Sequence, residues 1–133
     1  MRAYIFRIKP SGGGKHRDIA VLEDQTFDVL HKAICGAFKL QPTDMYSFNF
    51  TAGSASRIWL PPVAELAGPG VKRVPGSLKH GGAEKTKIGK MRLTPRDKFE
   101  HTPNLSEKTR PLEVRLRQID CKPTGGKYPA VTG

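Results

Sequence analysis

Several common sources of chemistry are absent from this chain. Its 133 residues include only two cysteines, Cys35 and Cys121, with no CxxC pair. Thiols this far apart make no disulfide framework, so two reduced thiols in a cytoplasmic protein are expected rather than one bridge. No HExxH, no GxSxG and no spaced acidic cluster occurs, which removes the usual signatures of zinc peptidases, serine hydrolases and carboxylate-bound metals. No cofactor is expected. Apolar runs are only a few residues long, too short for a membrane span. The opening MRAYIFRIKP interrupts its apolar residues with arginines and lacks a small-residue cleavage site, so no secretory signal is expected. Aromatic residues make up 8% of the chain, with a single tryptophan, Trp59.

Acidic residues are also scarce, 12 against 23 lysines and arginines, for a formal charge of +11. Residues 1–51 carry 7 basic and 5 acidic side chains, whereas residues 52–133 carry 16 and 7, so the second part is the polycation. Such a field attracts phosphate backbones and other polyanions, and it also keeps a protein in solution whatever it binds.

The length fits one α+β domain, 1–133, with a single core. Tyr4, Phe6 and Ile8 alternate with Ala3, Ile5 and Arg7, the period of a strand with one buried face. SGGGK follows, then HRDIAVL, a second strand with Ile19 and Val21 inward. A glycine-rich loop ending in Lys15 invites comparison with a phosphate-binding loop. The spacing is wrong, however, and a strand rather than a helix follows, so a hairpin turn with glycines at positive φ is expected.

TFDVLHKAICGAFKL has an apolar stripe of Phe27, Leu30, Ala33, Ile34, Ala37 and Phe38 at helical spacing. Thr26 or Asp24 can cap it, and Asp28 suits the positive end of its dipole. MYSFNF alternates again, with Tyr46, Phe48 and Phe50 on one side. Residues 52–85 are rich in proline and glycine and read as a long basic loop, of a length that is usually functional or mobile. TKIGKMRL restores order with Ile88, Met91 and Leu93 inward. KFEHTPNLSEKTRPLEVRL contains two strand halves around a polar connection, and 121–133 reads as an irregular tail. The expected architecture is a mixed, mostly antiparallel sheet of about five strands with one main helix. Its strand-hairpin-strand-helix-strand opening is β-grasp-like, an analogy of fold and not of activity.

The helix segment resembles the Ri-plasmid ORF-three-like family (pRiA4b plasmid type), often carried by plasmids and insertion elements. Thr26, Leu30, His31, Ile34, Ala37 and Phe38 match its helix motif. DMYSFNF, KIGKMRLTPRDKFE, LEVRL and KYPAV resemble later segments, and 52–85 is unmatched. The resemblance implies an α+β fold and assigns no activity. The family's acidic aromatic signature turn falls at His101, Asn104, Leu105, Ser106 and Glu107, where both aromatic anchors, the glycine and the first carboxylate are missing. Any site built on that turn is therefore altered or lost.

Three readings follow. His31 and Cys35 share a helix face and suit a nucleophile pair or half a zinc site, with His101 and Cys121 as distant partners. A packed histidine bonded to a neighbouring carbonyl explains His31 equally well. Glu100 and Glu113 flank the polar connection, where ion pairs with Arg115 or Arg117 are the expected fate. The basic run offers phosphate contacts through Lys72, Arg73, Lys79, Lys85, Lys87, Lys90 and Arg92, extended by Arg115 and Arg117 on the last long strand. With no aromatics interleaved, backbone contact rather than base readout is implied. The leading expectation is a non-catalytic binding module for nucleic acid or another polyanion. A protein partner at a sheet edge or the long loop is the alternative, and a metal or acid-base enzyme comes last.

Overall fold

The computed structural model describes residues 2–10, 13–41, 43, 45–49, 65–68, 80–91, 93–104, 111–121 and 127–131. Strands β1 (Ala3–Pro10) and β2 (Arg17–Leu22) form the opening hairpin, and helix α1 spans Phe27–Ala37. Strands β3 (Ser47–Asn49), β4 (Glu65–Ala67) and β5 (His80–Gly82) follow, then a 3₁₀ turn at Ile88–Met91. Strands β6 (Lys98–Thr102), β7 (Leu112–Asp120) and β8 (Ala130–Val131) complete the order. All eight strands join one sheet in the order β5-β4-β3-β6-β7-β1-β2-β8. Every pairing is antiparallel except β4 with β5.

The α+β class, the one α-helix among the described residues and the largely antiparallel sheet agree with expectation. The strand number does not: about five were expected and eight are present among the described residues. The additional ones are β4 and β5, inside the segment read as loop 52–85, and β8, inside the segment read as an irregular tail. These have three, three and two residues and, unlike three-residue β3 within MYSFNF, no alternating flanks to extend a period of two. The tail is also held by Gln25, whose amide nitrogen donates to the carbonyl of Tyr128 at 2.8 Å.

Alternation along β1 decides which face is core. Tyr4, Phe6 and Ile8 are fully enclosed with Ile19 and Val21 of β2, Leu30 and Ile34 of α1, and Val114 and Leu116 of β7. Phe99 meets Phe6, Phe27 and Phe48 edge to face at centroid distances of 5.8, 6.1 and 5.9 Å. Such pairs each add about 0.5–1.5 kcal/mol beyond area burial. The hairpin turn behaves as expected, with Gly13 and Gly14 at φ of +109° and +130°, where a side chain would be strained.

Helix α1 starts at Thr26, whose hydroxyl accepts from the Val29 N–H. The Phe27 and Asp28 N–H groups, orphaned by helix geometry, donate instead to the carbonyls of Thr86 and Ala83. The basic segment before β6 is thereby fastened to the start of the helix. At the other end Lys39 takes φ +57° and the Leu40 N–H returns to the Cys35 carbonyl at 2.7 Å. That six-to-one bond is the pattern of a Schellman stop, with lysine where glycine is usual.

Candidate functional site

Two constellations of polar side chains stand out, one inside the core and one on the opposite face of the sheet. The inner one joins α1, β3 and β6. His31 and His101 are 1% and 0% exposed, and Nδ1 of His31 lies 2.8 Å from Nε2 of His101. The other ring nitrogen of His31 is 3.0 Å from the carbonyl of Thr43. Since a carbonyl only accepts, His31 Nε2 carries a proton and, in the neutral ring, Nδ1 accepts from His101 Nε2–H. His101 Nδ1 is then an acceptor, and it is buried without a hydrogen-bond partner. Tyr46 stacks on His31 with ring centroids 3.6 Å apart and planes inclined by 7°, and Phe48 stacks on His101. The Tyr46 hydroxyl donates to Asp28, which also pairs with Lys32 at 3.0 Å.

The chemistry of this cluster is quiet. Burial, and secondarily the neighbouring His31, push the His101 imidazole well below its ordinary range, so it stays neutral. Burial alone pushes the Cys35 thiol up to about 11, leaving no thiolate at neutral pH. Cys35 Sγ lies 3.8 Å from both nitrogens of His31 and therefore on the lone-pair axis of neither. A Cys-His nucleophile is thus unsupported by the geometry, and the bonded, packed histidine is what is found. Cys121 is exposed where Cys35 is buried, and both thiols are free. Among the described residues no group of three or more His, Cys, Asp or Glu is placed to hold a metal.

The outer constellation is built by the pleat. In β1, Arg7 occupies the face opposite Phe6 and Ile8, and registers with Asp18 of β2 and Arg115 of β7. Arg115 in turn faces Lys98 of β6. One transverse row therefore reads Asp18, Arg7, Arg115, Lys98. Arg7 Nε binds Asp18 Oδ1 at 3.1 Å, and Arg117 Nη1 binds Asp18 Oδ2 at 2.9 Å. Burial by itself raises the Asp18 carboxyl, but the hydrogen bonds and charges of Arg7 and Arg117 outweigh it and hold the group below its ordinary range. Arg7, Arg96, Arg115, Leu116 and Arg117 line an open cleft of about 220 Å³.

Two backbone irregularities shape that cleft. Ile5 registers with Gln118 and Phe6 with Leu116, so Arg117 is the extra residue of a β-bulge. A bulge re-aims the side chain it carries. Arg96 has φ +84°, and follows Pro95 in a turn closed by the Asp97 N–H on the Thr94 carbonyl at 3.0 Å. Proline second and positive φ third is the type II pattern, whose third position favours glycine. The turn is locked to β7, since the Arg96 N–H donates to Leu116 O and the Leu116 N–H to Asp97 O, at 2.8 and 2.9 Å.

The residues singled out by sequence fall in different places. Of the expected phosphate contacts, Lys72, Arg73, Lys79 and Arg92 lie outside the described residues, as does Glu107 of the signature turn. Among the described residues, exposed Lys85, Lys87 and Lys90 lie in the segment beside the start of α1, and exposed Arg115 and Arg117 lie on the outer sheet face. Glu100 and Glu113 do face each other in register, yet Glu113 pairs with Lys9 and Lys98 at 3.3 and 3.7 Å rather than with Arg115 or Arg117. His101 belongs to β6 and the core instead of a turn, and half-buried Asn104 lies just beyond that strand. Thr26 is the helix cap, Leu30 and Ile34 are core, and Phe38 packs half-buried at the helix end. Sequence reasoning missed Arg7 and Arg96 as site residues, and missed the pairing of Asp18 with Arg7 and Arg117. Arg7 was legible as the polar member of an alternating strand, and Thr-Pro-Arg-Asp as a turn, but nothing local brings them together.

No family model matches the chain, and no curated protein matches it. Among solved structures it is similar to the crystal structure of a protein of unknown function, MM3350 from Methanosarcina mazei Go1. The TM-score is 0.74 at 21% sequence identity, covering 99% of this chain and 68% of that one. At that identity the likeness is one of fold.

Proposed function

We propose that this protein is a non-catalytic binding module for a polyanion, with nucleic acid as the first partner to test. One observation carries the reading: the outer sheet face gathers Arg7, Lys9, Arg96, Lys98, Arg115 and Arg117 against Asp18, Glu100 and Glu113. A surplus of guanidinium and ammonium groups on a rigid, twisted surface suits the sugar-phosphate backbone and carries no base readout. Exposed Lys85, Lys87 and Lys90 offer a second basic area at the start of the helix. Membership of the Ri-plasmid ORF-three-like family belongs to the same proposal, supported by the roles of Thr26, Leu30, His31, Ile34 and Phe38 as cap, core and core-to-sheet bond. The β-grasp-like opening enters it only as scaffold. Free Cys35 and Cys121 suit a reducing, cytoplasmic compartment. A protein partner added at a sheet edge has less support, because the edge strands β5 and β8 have three and two residues.

The test is an electrophoretic shift with duplex and single-stranded DNA and RNA from low to moderate salt. The expected result is a shift at low ionic strength that weakens steeply with salt, the signature of counterion release. No shift at the lowest ionic strength overturns the reading. Charge reversal of Lys85 with Lys87, against reversal of Arg115 alone, identifies the face involved.

A further inference from the structure

We propose that the cleft between Arg7, Arg96, Arg115 and Arg117 is a discrete site for one phosphate group, carried by a nucleic-acid backbone or by a small phosphate ester. Only the first of these sources rests on the polyanion reading. Three independent features converge on the cleft. Arg7 and Arg115 face each other across β1 and β7, and Arg115 faces Lys98 across β6 and β7. Like charges directly opposite in a sheet oppose folding. Asp18 offsets one side of the row through Arg7 and Arg117, and Glu113 the other through Lys98, whereas Arg96 and Arg115 have no acidic partner among the described residues. An oxyanion between them would remove the repulsion.

The second feature is Arg96. A type II turn after Pro95 asks for glycine, and the chain places an arginine there at φ +84°, lining the cleft. Strain of this kind persists where the surroundings enforce it and gathers at binding sites. The third is the bulge at Arg117, which leaves its side chain on the outer face beside Gln118 and within reach of Asp18. Asp18 acts as the internal brace. Nearly buried, it holds two of the four guanidiniums in fixed orientation before any ligand arrives. Planar guanidinium forks suit tetrahedral oxyanions bidentately, and prearranged ones lose less entropy on binding. Among the described residues no side chain in the cleft is placed to attack a bound phosphate, and the role proposed for the site is to hold the group.

The experiment measures thermal stability and calorimetric binding of the full chain with sodium phosphate, against sodium chloride at matched ionic strength. The variants are Arg96→Gly and Arg115→Gln. Phosphate is expected to raise the melting temperature saturably, beyond chloride. Arg96→Gly relieves turn strain, so it is expected to be at least as stable as wild type without ligand while weakening phosphate binding about tenfold or more. Arg115→Gln should weaken it similarly. Equal effects of phosphate and chloride, or wild-type phosphate affinity in both variants, overturn the site. A second arm compares a nucleoside monophosphate with an oligonucleotide. Phosphate and monophosphate binding without an oligonucleotide shift keeps the site and removes the polyanion reading. An oligonucleotide shift unchanged in both variants keeps that reading, and then removes the site if phosphate binding is unchanged too, or assigns it to a small phosphate ester if phosphate binding is weakened.

Discussion

The buried histidine pair makes stability depend on pH in a window that carboxylates do not share. Burial and the neighbouring His31 depress the His101 pKa well below the ordinary 6.5. The unfolded chain therefore binds a proton near that value that the folded protein refuses. A depressed histidine contributes stability that is complete above the unfolded pKa and is lost as pH falls below it. The slope is about 1.4 kcal/mol per pH unit for one proton, continuing until the folded pKa is reached. One refused proton between pH 6.5 and 5.0 costs at most about 2 kcal/mol, a large share of the roughly 5–15 kcal/mol that holds a domain together. The physical cause is specific: a proton added to His101 Nδ1 enters a buried position with no acceptor. Asp18, Glu23 and Asp28 also have depressed pKa values, but their contributions are present above the ordinary carboxylate range near 4 and fade only as pH falls through it. Urea unfolding of wild type and His101→Gln at pH 7.5, 6.0 and 5.0 separates the two. Glutamine can still donate to His31 Nδ1 and does not titrate, so its lower starting stability should fall more gently across that range. A slope unchanged in the variant refutes the argument.

The backbone and the thiols give two further expectations. Lys39→Gly should stabilise by about 1 kcal/mol in urea unfolding, because lysine there adopts a left-handed conformation that glycine takes without strain. A variant no more stable than wild type would show that the lysine side chain compensates. In the native protein a thiol reagent at neutral pH should modify exposed Cys121 quickly and Cys35, buried with its pKa pushed up to about 11, only on unfolding. Two fast thiols would contradict the burial of Cys35.

Local periods were readable wherever an element and its flanks were long enough to show one. Eight residues of β1 and eleven of α1 announced their buried faces, and Thr26 and the hairpin glycines announced boundaries. Three-residue β3 was readable because Tyr46, Phe48 and Phe50 alternate beyond its bounds, whereas β4, β5 and β8 have no such flanking alternation and were indistinguishable from loop and tail. His31 was legible by its place beside the stripe, and His101 as its distant partner for a metal or a nucleophile, but not for a direct ring-to-ring bond. Their bond spans 70 positions and depends on β6 lying beside β3, a pairing no short window contains. The arginine cleft failed for the same reason. Counting charge drew attention to the run from Lys72 to Arg92, while four arginines separated in sequence were brought together by register, a bulge and one turn.

The bulge at Arg117 distinguishes an accident of the ladder from a part of the site. Along β7 Leu116 points to the core, Arg117 and Gln118 both point outward, and Ile119 packs against the core again. Deleting Arg117 restores strict alternation and leaves Leu116 with Phe6, Gln118 with Ile5 and Ile119 with Tyr4. No downstream side chain changes face, so the usual consequence of a register slip does not arise. The deletion costs one of the two ion pairs of Asp18, a partly exposed contact worth about 1 kcal/mol or less. It also removes the irregularity, which should return part of that loss. The shortened chain is therefore expected to fold with stability within about 1 kcal/mol of wild type while binding phosphate more weakly. Severe destabilisation would mean that the bulge is needed by the fold, and undiminished phosphate binding would mean that Arg117 contributes nothing to the cleft.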